Sequence, residues 1–156
     1  MKLTEFISKK AIVPVLKASD KKGVIQELVQ AARKAYDGER FVVTEIVDAI
    51  VQREKIGSTG IGGGVGVPHA KLDGIKNVIG AFGRCAPAID FNAVDGGKVD
   101  LVFLILSPPS KGEAYLKALQ KVMTALKRPN FVKFLKAAKT VRDIDDIFRE
   151  VEEVAV

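Results

Sequence analysis

The sequence predicts an α/β fold in three layers, with a mixed β-sheet covered by helices on both faces. Two observations lead to this expectation. The stretch Leu101–Leu106 is almost wholly apolar, which is typical of a strand that is buried on both sides of a sheet. Segments before and after it carry apolar residues at helical spacing, and each such stripe needs a surface on which to be buried. A sheet sandwiched between helices satisfies both patterns.

The N-terminal half of the chain predicts one strand and three helices. In order, these are a short helix near residues 3–7, a strand at 11–16, a helix at 19–38 and a helix at about 43–54. Pro14 predicts that the strand lies at a sheet edge or is irregular, because proline cannot donate a hydrogen bond to a neighbouring strand. Ser19 is the expected N-cap of the second helix. Gly38 is expected to end that helix.

The C-terminal half predicts two strands followed by three helices. These are strands at 78–82 and 101–106, a helix that begins near residue 110, and helices near 131–138 and 141–153. Ser110 and Glu113 have the spacing of a capping box at the start of the first of these helices. Phe131 and Phe134 are expected to lie in the buried stripe of the second.

Length and composition indicate one domain, residues 1–156, with 47% hydrophobic residues available for a core. The N-terminus shows no signal peptide, and no apolar run approaches the roughly 20 residues that span a bilayer. The single cysteine, Cys85, excludes an internal disulfide and fits a reducing compartment. We therefore expect a soluble, cytoplasmic protein with no membrane insertion.

The net charge of +6 makes nucleic acid a partner that has to be considered. Residues 111–139 hold eight Lys and Arg residues against one acid. Such a surface could face solvent, bind phosphate backbones or bind an acidic protein. Because the region lacks the interleaved aromatic residues of a single-strand stacking platform, no nucleic acid is expected. The role of this surface stays open at the level of sequence.

The chemistry is expected in residues 53–70, which combine the only histidine with six of the 14 glycines. Glycine loses the most backbone entropy on folding, so such a cluster indicates unusual turns or a close approach of the backbone. Backbone N–H groups in a bend of this kind can bind an anion. Pro68 stiffens the segment that presents His69. The glycines occupy positions 57, 60, 62, 63, 64 and 66.

The familiar nucleotide-binding loops are absent from this segment. A G-x-G-x-x-G fingerprint would need glycine where Val65, Val67 or His69 stands, and Gly63 occupies the place of the P-loop lysine. One histidine and one cysteine cannot assemble the usual zinc ligand sets, so no metal is expected. No G-x-S-x-G elbow is present, although this does not exclude hydrolysis. A neutral histidine can also accept a phosphoryl group, or it can be purely structural.

The run from Arg53 to Gly62, continued by Val67-Pro68-His69-Ala70, closely resembles the active-site signature of a known family. That family is the enzyme IIA domain of the fructose/mannitol type in the bacterial phosphoenolpyruvate-dependent phosphotransferase system, including its nitrogen-regulatory members. The similarity continues through residues 87–91, 93–96 and 99–104. It implies the same three-layer fold that the sequence pattern predicts.

The resemblance implies that His69 accepts a phosphoryl group from the phosphocarrier protein HPr or a nitrogen-branch relative. The group would then pass to a IIB component or serve as a signal to a regulatory protein client, with no cofactor. Phosphoryl transfer depends mainly on positioning and on stabilisation of negative charge. Arg53 could supply a fixed cation, although it could also be a solvated helix residue. Ser58, Thr59 and Gly60 are expected to donate hydrogen bonds to phosphate, as part of the Gly57–Gly66 backbone.

One position departs from the family pattern. Members of the family usually carry a second histidine where Tyr115 stands in this chain. A tyrosine can donate a hydrogen bond to phosphate or to the imidazole, but near pH 7 it carries no positive charge. Tyr115 could equally be a core residue of its helix. Two hypotheses follow: a phosphoryl carrier, for which the lack of an attached transporter favours a regulatory use, and a non-catalytic binding module whose phosphorylation site is degenerate.

Overall fold

The computed structural model describes residues 1–153 and contains a six-stranded mixed sheet with helices on both faces, which confirms the predicted fold class. The strands are β1 (Ile7–Leu16), β2 (Gly60–Gly62), β3 (Val65–Gly66), β4 (His69–Lys71), β5 (Ile79–Ile89) and β6 (Val99–Ser107). The helices are α1 (Leu3–Phe6), α2 (Lys21–Ala35), α3 (Val43–Ile56), α4 (Gly112–Leu126), α5 (Phe131–Ala137) and α6 (Val141–Glu153).

The sheet has the strand order β1-β5-β6-β3-β2, and β4 pairs with β6 farther along the same side. Strand β5 is antiparallel to β6, whereas β1 is parallel to β5, and β3 and β4 are parallel to β6. Strand β1 lies at the sheet edge and has register shifts, as Pro14 predicted. Strands β3 and β4, which lie in the glycine-rich segment (residues 57–71), both pair with the central strand β6. Strand β4 therefore places His69 directly against β6.

The central strand β6 separates two hydrophobic cores. Leu101, Phe103 and Ile105 pack with residues of α1, α4, α5 and α6. The alternate residues Val102 and Leu104 pack with α2 and α3 on the other face. All five are fully buried, and burial of each such side chain stabilises the fold by about 1.5–3 kcal/mol. This alternation explains why residues 101–106 are continuously apolar in the sequence.

Two predicted helix caps are wrong. The N-cap of α2 is Asp20 instead of Ser19, because the Asp20 carboxylate accepts the Gly23 N–H at 2.8 Å. The capping box of Ser110 and Glu113 does not form. The residues from Pro109 to Lys111 make a 3-10 turn first, which moves the start of α4 beyond Ser110 to Gly112.

Strand ends and one aromatic side chain also differ from the sequence expectations. Strand β1 begins at Ile7, directly after α1, and β5 extends to Ile89 instead of ending at residue 82. Phe134 was expected in the core, but its side chain is 49% exposed. Phe131, the other aromatic residue expected in this stripe, is buried, as is Leu135. These two residues lie one helical turn apart, so they share the face of α5 that meets the core.

Candidate functional site around His69

His69 opens strand β4 and is half-buried beside the central strand. Its Cα is in register with that of Ile105 in the parallel β4–β6 pairing. The preceding residue, Pro68, is buried, and its carbonyl accepts the Ile105 N–H at 3.1 Å. The histidine is therefore presented from a segment that is fixed both by the proline ring and by a hydrogen bond to the sheet.

One nitrogen of the His69 ring has a defined partner. Nδ1 lies 2.7 Å from the carbonyl oxygen of Val67. A carbonyl can only accept a hydrogen bond, so Nδ1 carries the hydrogen in this contact. In the neutral ring the lone pair is then on Nε2. Nε2 is thus the nitrogen that can attack an electrophile or accept a proton.

Tyr115 lies beside His69, in the first turn of α4. The centroids of the two rings are 5.9 Å apart, at an interplanar angle of 55°. Tyr115 is only 7% exposed and packs with Ala118 and Val122 in the core beneath α4. The ring is therefore a core residue that lies beside the histidine. A hydrogen bond from its hydroxyl to phosphate or to the imidazole stays a prediction.

The hydroxyl of Tyr115 stays protonated at neutral pH. Burial raises the pKa of Tyr115 to about 12, and the positive charge of Arg53 opposes part of this shift. A protonated phenol can donate one hydrogen bond but contributes no net charge. At this position the chain therefore has a neutral hydrogen-bond donor.

Arg53 lies in the last turn of α3 and is half-buried. Its Nη1 donates a hydrogen bond to the Gly57 carbonyl at 2.7 Å, which ties the guanidinium to the start of the glycine-rich segment. Its electrostatic effect on Tyr115 indicates that the guanidinium charge acts on the same region as the tyrosine hydroxyl. Tyr115 therefore lies beside His69, and Arg53 is near enough to Tyr115 for its charge to act on the hydroxyl.

Sequence reasoning missed Lys71. Its Nζ lies 5.4 Å from the centroid of the Tyr115 ring, in a cation–π arrangement. Lys71 follows His69 by two residues on the same strand, so both side chains lie on the same face of the sheet. This spacing was the available signal, but it could be used only once residues 69–71 were known to form a strand. Lys71 adds a second cation to the site.

The turn at the centre of the glycine-rich segment lies away from His69. Strands β2 and β3 form a hairpin whose turn includes Gly62, Gly63 and Gly64, all with positive φ. Val65 is in register with Leu101, whereas His69 is in register with Ile105. Four residues of strand separate these levels by about 13 Å. The backbone N–H groups expected as donors over Gly57–Gly66 therefore do not all lie at the level of the histidine.

A carboxylate of the same chain, that of Asp95, already binds the backbone of this turn. Asp95 accepts the N–H groups of Gly63 at 3.2 Å and Gly97 at 2.9 Å. These backbone hydrogen bonds lower the pKa of Asp95. The anion that the glycine turn binds in this structure is thus a side chain of the same chain.

The three other predicted phosphate donors have partners within the protein. The Ser58 hydroxyl donates to the Phe91 carbonyl at 2.7 Å and accepts the Gly60 N–H at 3.0 Å. The Thr59 hydroxyl donates to the Glu54 carboxylate at 2.6 Å. Phosphate binding by Ser58, Thr59 and Gly60 stays a prediction. It would require these groups to exchange their present partners.

Among residues 1–153, no group of three or more His, Cys, Asp or Glu side chains is placed to hold a metal ion. Within the same range, no helix combines the length and the apolar composition that crossing a bilayer requires.

The fold agrees with a comparison to known families. Residues 5–151 match the family described as "Phosphoenolpyruvate-dependent sugar phosphotransferase system, EIIA 2". The chain belongs to this EIIA family. The match covers nearly the whole sequence, including His69 and every element from β1 to α5, and it confirms the resemblance stated from the sequence.

Two curated relatives illustrate the range of the EIIA family. A nitrogen regulatory protein of Bradyrhizobium diazoefficiens is 39% identical over 145 residues, which cover 92% of each chain. The fructose-specific EIIABC component of Bacillus subtilis is 35% identical over 150 residues, which cover 96% of this chain but 23% of that protein. The first relative matches this chain end to end, whereas the second contains a corresponding region within a much longer polypeptide.

Solved structures of EIIA proteins share the fold. The nitrogen regulatory protein IIA-Ntr of Neisseria meningitidis superposes with a TM-score of 0.84 at 26% identity, covering 94% of this chain and 98% of the other. The mannitol IIA protein of Escherichia coli gives a TM-score of 0.74 at 20% identity, covering 89% and 96%. A third structure, with a TM-score of 0.75 and 18% identity over 90% and 95% of the chains, is that of the E. coli mannitol IIA enzyme in complex with phosphorylated IIB.

Proposed function

We propose that the protein is a phosphoryl carrier that accepts a phosphoryl group on Nε2 of His69. The observation that carries this proposal is the hydrogen bond from Nδ1 to the Val67 carbonyl at 2.7 Å. It holds the ring in the tautomer whose lone pair is on Nε2. The half-buried position of His69 leaves the ring at the surface, where a partner protein can approach it.

The proposed donor is a phosphohistidine of HPr or of a nitrogen-branch relative. The Nε2 lone pair attacks phosphorus and forms a new N–P bond as the donor's N–P bond breaks. The donor imidazole leaves with the electron pair of that bond, so no proton has to be transferred between the two proteins. Nδ1 of His69 keeps its hydrogen throughout, and the Val67 carbonyl stabilises the positive charge that develops on the ring.

Two cations and one neutral donor support the transfer. The phosphoryl group spreads negative charge over three oxygens in the transition state. Arg53 and Lys71 supply positive charge near the histidine, and the protonated hydroxyl of Tyr115 can donate a hydrogen bond. In this proposal Ser58 and Thr59 act indirectly, by holding the segment that begins at Gly57, because their hydroxyls are already bonded within the protein.

The client is proposed to be a regulatory protein. This choice is supported by the nitrogen regulatory protein of B. diazoefficiens, which matches the chain over 92% of both lengths. A IIB component is the other candidate recipient, in view of the complex of the E. coli mannitol IIA enzyme. A cytoplasmic location and the absence of nucleic acid binding stay predictions.

A second candidate function follows from Tyr115. If the neutral tyrosine cannot replace a cationic histidine in transfer, the protein would act as a binding module whose partners recognise its unphosphorylated state. The residue type favours this alternative, since a phenol has no cationic form, and the pKa of about 12 keeps Tyr115 neutral at pH 7.

Transfer from phosphoenolpyruvate through enzyme I and HPr tests both functions. Labelled phosphate should appear on the wild-type protein as an acid-labile, base-stable adduct and should be absent from His69→Gln, which keeps a polar side chain of similar reach. The control variant Lys55→Gln, at an exposed position in the last turn of α3, should label like the wild type. Label on Tyr115→His but not on the wild type would contradict the carrier function and support the binding module.

A further inference from the structure

Glu54 is a buried carboxylate immediately beside the site. It lies in the last turn of α3 and is 9% exposed. A buried carboxylate is costly unless its oxygens are hydrogen-bonded. Glu54 accepts the Thr59 N–H at 3.1 Å and the Thr59 hydroxyl at 2.6 Å, and it forms an ion pair with Lys21 at 2.6 Å. Neither Glu54 nor Lys21 has a role in the transfer as described above.

The hydrogen bonds continue from Glu54 to the histidine. Thr59, which is 5% exposed, accepts the Val67 N–H with its carbonyl at 3.0 Å. The Val67 carbonyl in turn accepts Nδ1–H of His69 at 2.7 Å. Three successive contacts therefore connect the Glu54 carboxylate to the imidazole ring.

The carbonyl that sets the His69 tautomer is fixed from both sides. It belongs to the peptide unit between Val67 and Pro68. On one side the Pro68 carbonyl is held by the Ile105 N–H of the central strand. On the other side the Val67 N–H is held by Thr59, whose own backbone N–H is held by Glu54. The sheet fixes one side, and the buried carboxylate fixes the other.

We propose that Glu54, with Lys21 as its counter-ion, is a positioning residue for His69. By fixing Thr59 it orients the Val67 carbonyl, which keeps hydrogen on Nδ1 and leaves the lone pair on Nε2. This inference rests on the proposed function, because it concerns how the phosphoryl-accepting nitrogen is prepared. It assigns Thr59 to this hydrogen-bond path instead of to direct contact with phosphate.

Glutamine replaces Glu54 only in part. The carboxylate accepts from two groups of Thr59 and from Lys21 with two oxygens, whereas an amide has one accepting oxygen and one donating nitrogen. In Glu54→Gln the ion pair with Lys21 is lost. The amide N–H then faces either the Thr59 hydroxyl, which must accept instead of donate, or the Thr59 N–H and Lys21, which lose their acceptor. Thr59→Val removes the hydroxyl at nearly constant volume. Thr59→Ser retains it.

Nitrogen NMR of the His69 ring tests the inference directly. The ring nitrogens are measured in the unphosphorylated protein, at a pH at which the ring is neutral. We expect the wild type and Thr59→Ser to hold mainly the tautomer with hydrogen on Nδ1. Glu54→Gln and Thr59→Val should shift the population toward the other tautomer.

Transfer kinetics provide a second readout. Because a reacting group that is misplaced by even a small distance loses much of its rate, we expect the maximal rate of labelling from phospho-HPr to fall by about tenfold or more in Glu54→Gln and Thr59→Val. The KM for phospho-HPr should change less than the rate, and Thr59→Ser should recover most of the loss.

An unchanged tautomer in folded Glu54→Gln or Thr59→Val would overturn the inference, even if the thermal midpoint falls, since a purely structural role predicts that result. If Glu54→Gln does not fold, the pair Thr59→Val and Thr59→Ser decides alone. The tautomer is measured without any phosphoryl donor, so failure of the proposed function and failure of this inference are distinguishable.

Discussion

The glycine-rich segment has two regions that differ in purpose. Residues 59 and 60 run antiparallel to residues 66 and 67, which lead into the histidine, and the Gly57 carbonyl accepts a hydrogen bond from Arg53. Residues 62–64 form a hairpin turn about 13 Å farther along the sheet. The first region contains the proposed chemistry, whereas the second has the highest density of glycine. A dense glycine cluster therefore marks a demanding backbone path, which need not be the reactive position.

From this difference we expect substitutions near His69 to reduce transfer without unfolding the protein. Substitutions in the hairpin turn should lower the free energy of unfolding and leave transfer by the folded protein unchanged. The strongest test after His69 itself is Arg53→Gln. Losing one hydrogen-bond donor that is aimed at developing negative charge typically costs about 10²- to 10³-fold in rate. We expect a loss of that order in labelling from phospho-HPr, with little change in the thermal midpoint. Lys55→Gln, from the same helical turn, is the matched control, and a comparable loss there would contradict a specific role for Arg53.

The hairpin turn is tested by Gly64→Ala. Gly64 has a φ of +84°, and a Cβ there would lie 2.7 Å from the Asp100 carboxylate and 2.9 Å from Lys136 Nζ. A left-handed backbone costs a non-glycine residue roughly 1–2 kcal/mol. The free energy of unfolding in urea should fall by about this amount, while the labelling rate per folded molecule stays unchanged.

Gly38→Ala is the control for this substitution, because Gly38 has open space around it and no positive φ. Equal destabilisation by Gly64→Ala and Gly38→Ala would contradict the claim that the positive φ of Gly64 causes the loss of stability. A large loss of labelling in folded Gly64→Ala would contradict the separation of the two regions.

Lys71→Met should have a smaller effect on transfer than Arg53→Gln. The ammonium is a single mobile point charge, whereas the guanidinium is planar and is fixed by its hydrogen bond to Gly57. We expect about a tenfold lower labelling rate, partly restored by Lys71→Arg. Lys133→Met removes an exposed lysine from α5 and should leave the rate unchanged.

The smallest expected effect concerns the stability contributed by Tyr115 at alkaline pH. The folded pKa of Tyr115 is about 12, above the ordinary value of 10.0, so the folded state holds this proton more tightly than the unfolded state. The contribution is fully present below pH 10 and is lost as the pH rises from 10 to 12. In urea titrations, Tyr115→Phe should show a shallower fall of the unfolding free energy over this range than the wild type.

Cys85 has to be separated from this effect, because burial also raises the pKa of its thiol, to about 11. A Cys85→Ala background removes that contribution. If adding Tyr115→Phe to this background left the pH dependence of the unfolding free energy unchanged, the phenol would not be protected by burial, and the site beside His69 could become charged.

The sequence predicts the fold well wherever the burial of a segment can be read from the order of its own residues. The run Leu101–Leu106 indicates a strand covered on both faces because each alternate residue meets a different core. Cap positions are less certain, since Ser19 and Asp20 are both good caps and only the backbone geometry decides between them. Phe134 was misplaced because a short helix such as α5 offers too few turns to define its buried face.

The site was only partly predictable. His69 and Arg53 stand out because a unique histidine after a proline, and an arginine before a glycine, lie in a motif. Lys71 and Glu54 do not, because their roles depend on a strand pairing and on a buried hydrogen-bond path that no local pattern encodes. The separation of about 13 Å between the glycine turn and His69 likewise depends on the register with β6.

The most direct test of the central claim is the position of the phosphoryl group on His69. Phosphorus and nitrogen NMR of the ¹⁵N-labelled protein, after reaction with phosphoenolpyruvate, enzyme I and HPr, identifies the nitrogen that is bonded to phosphorus. The account predicts phosphorus on Nε2, with hydrogen retained on Nδ1. Phosphorus on Nδ1, or no phosphohistidine in the wild-type protein, would contradict it.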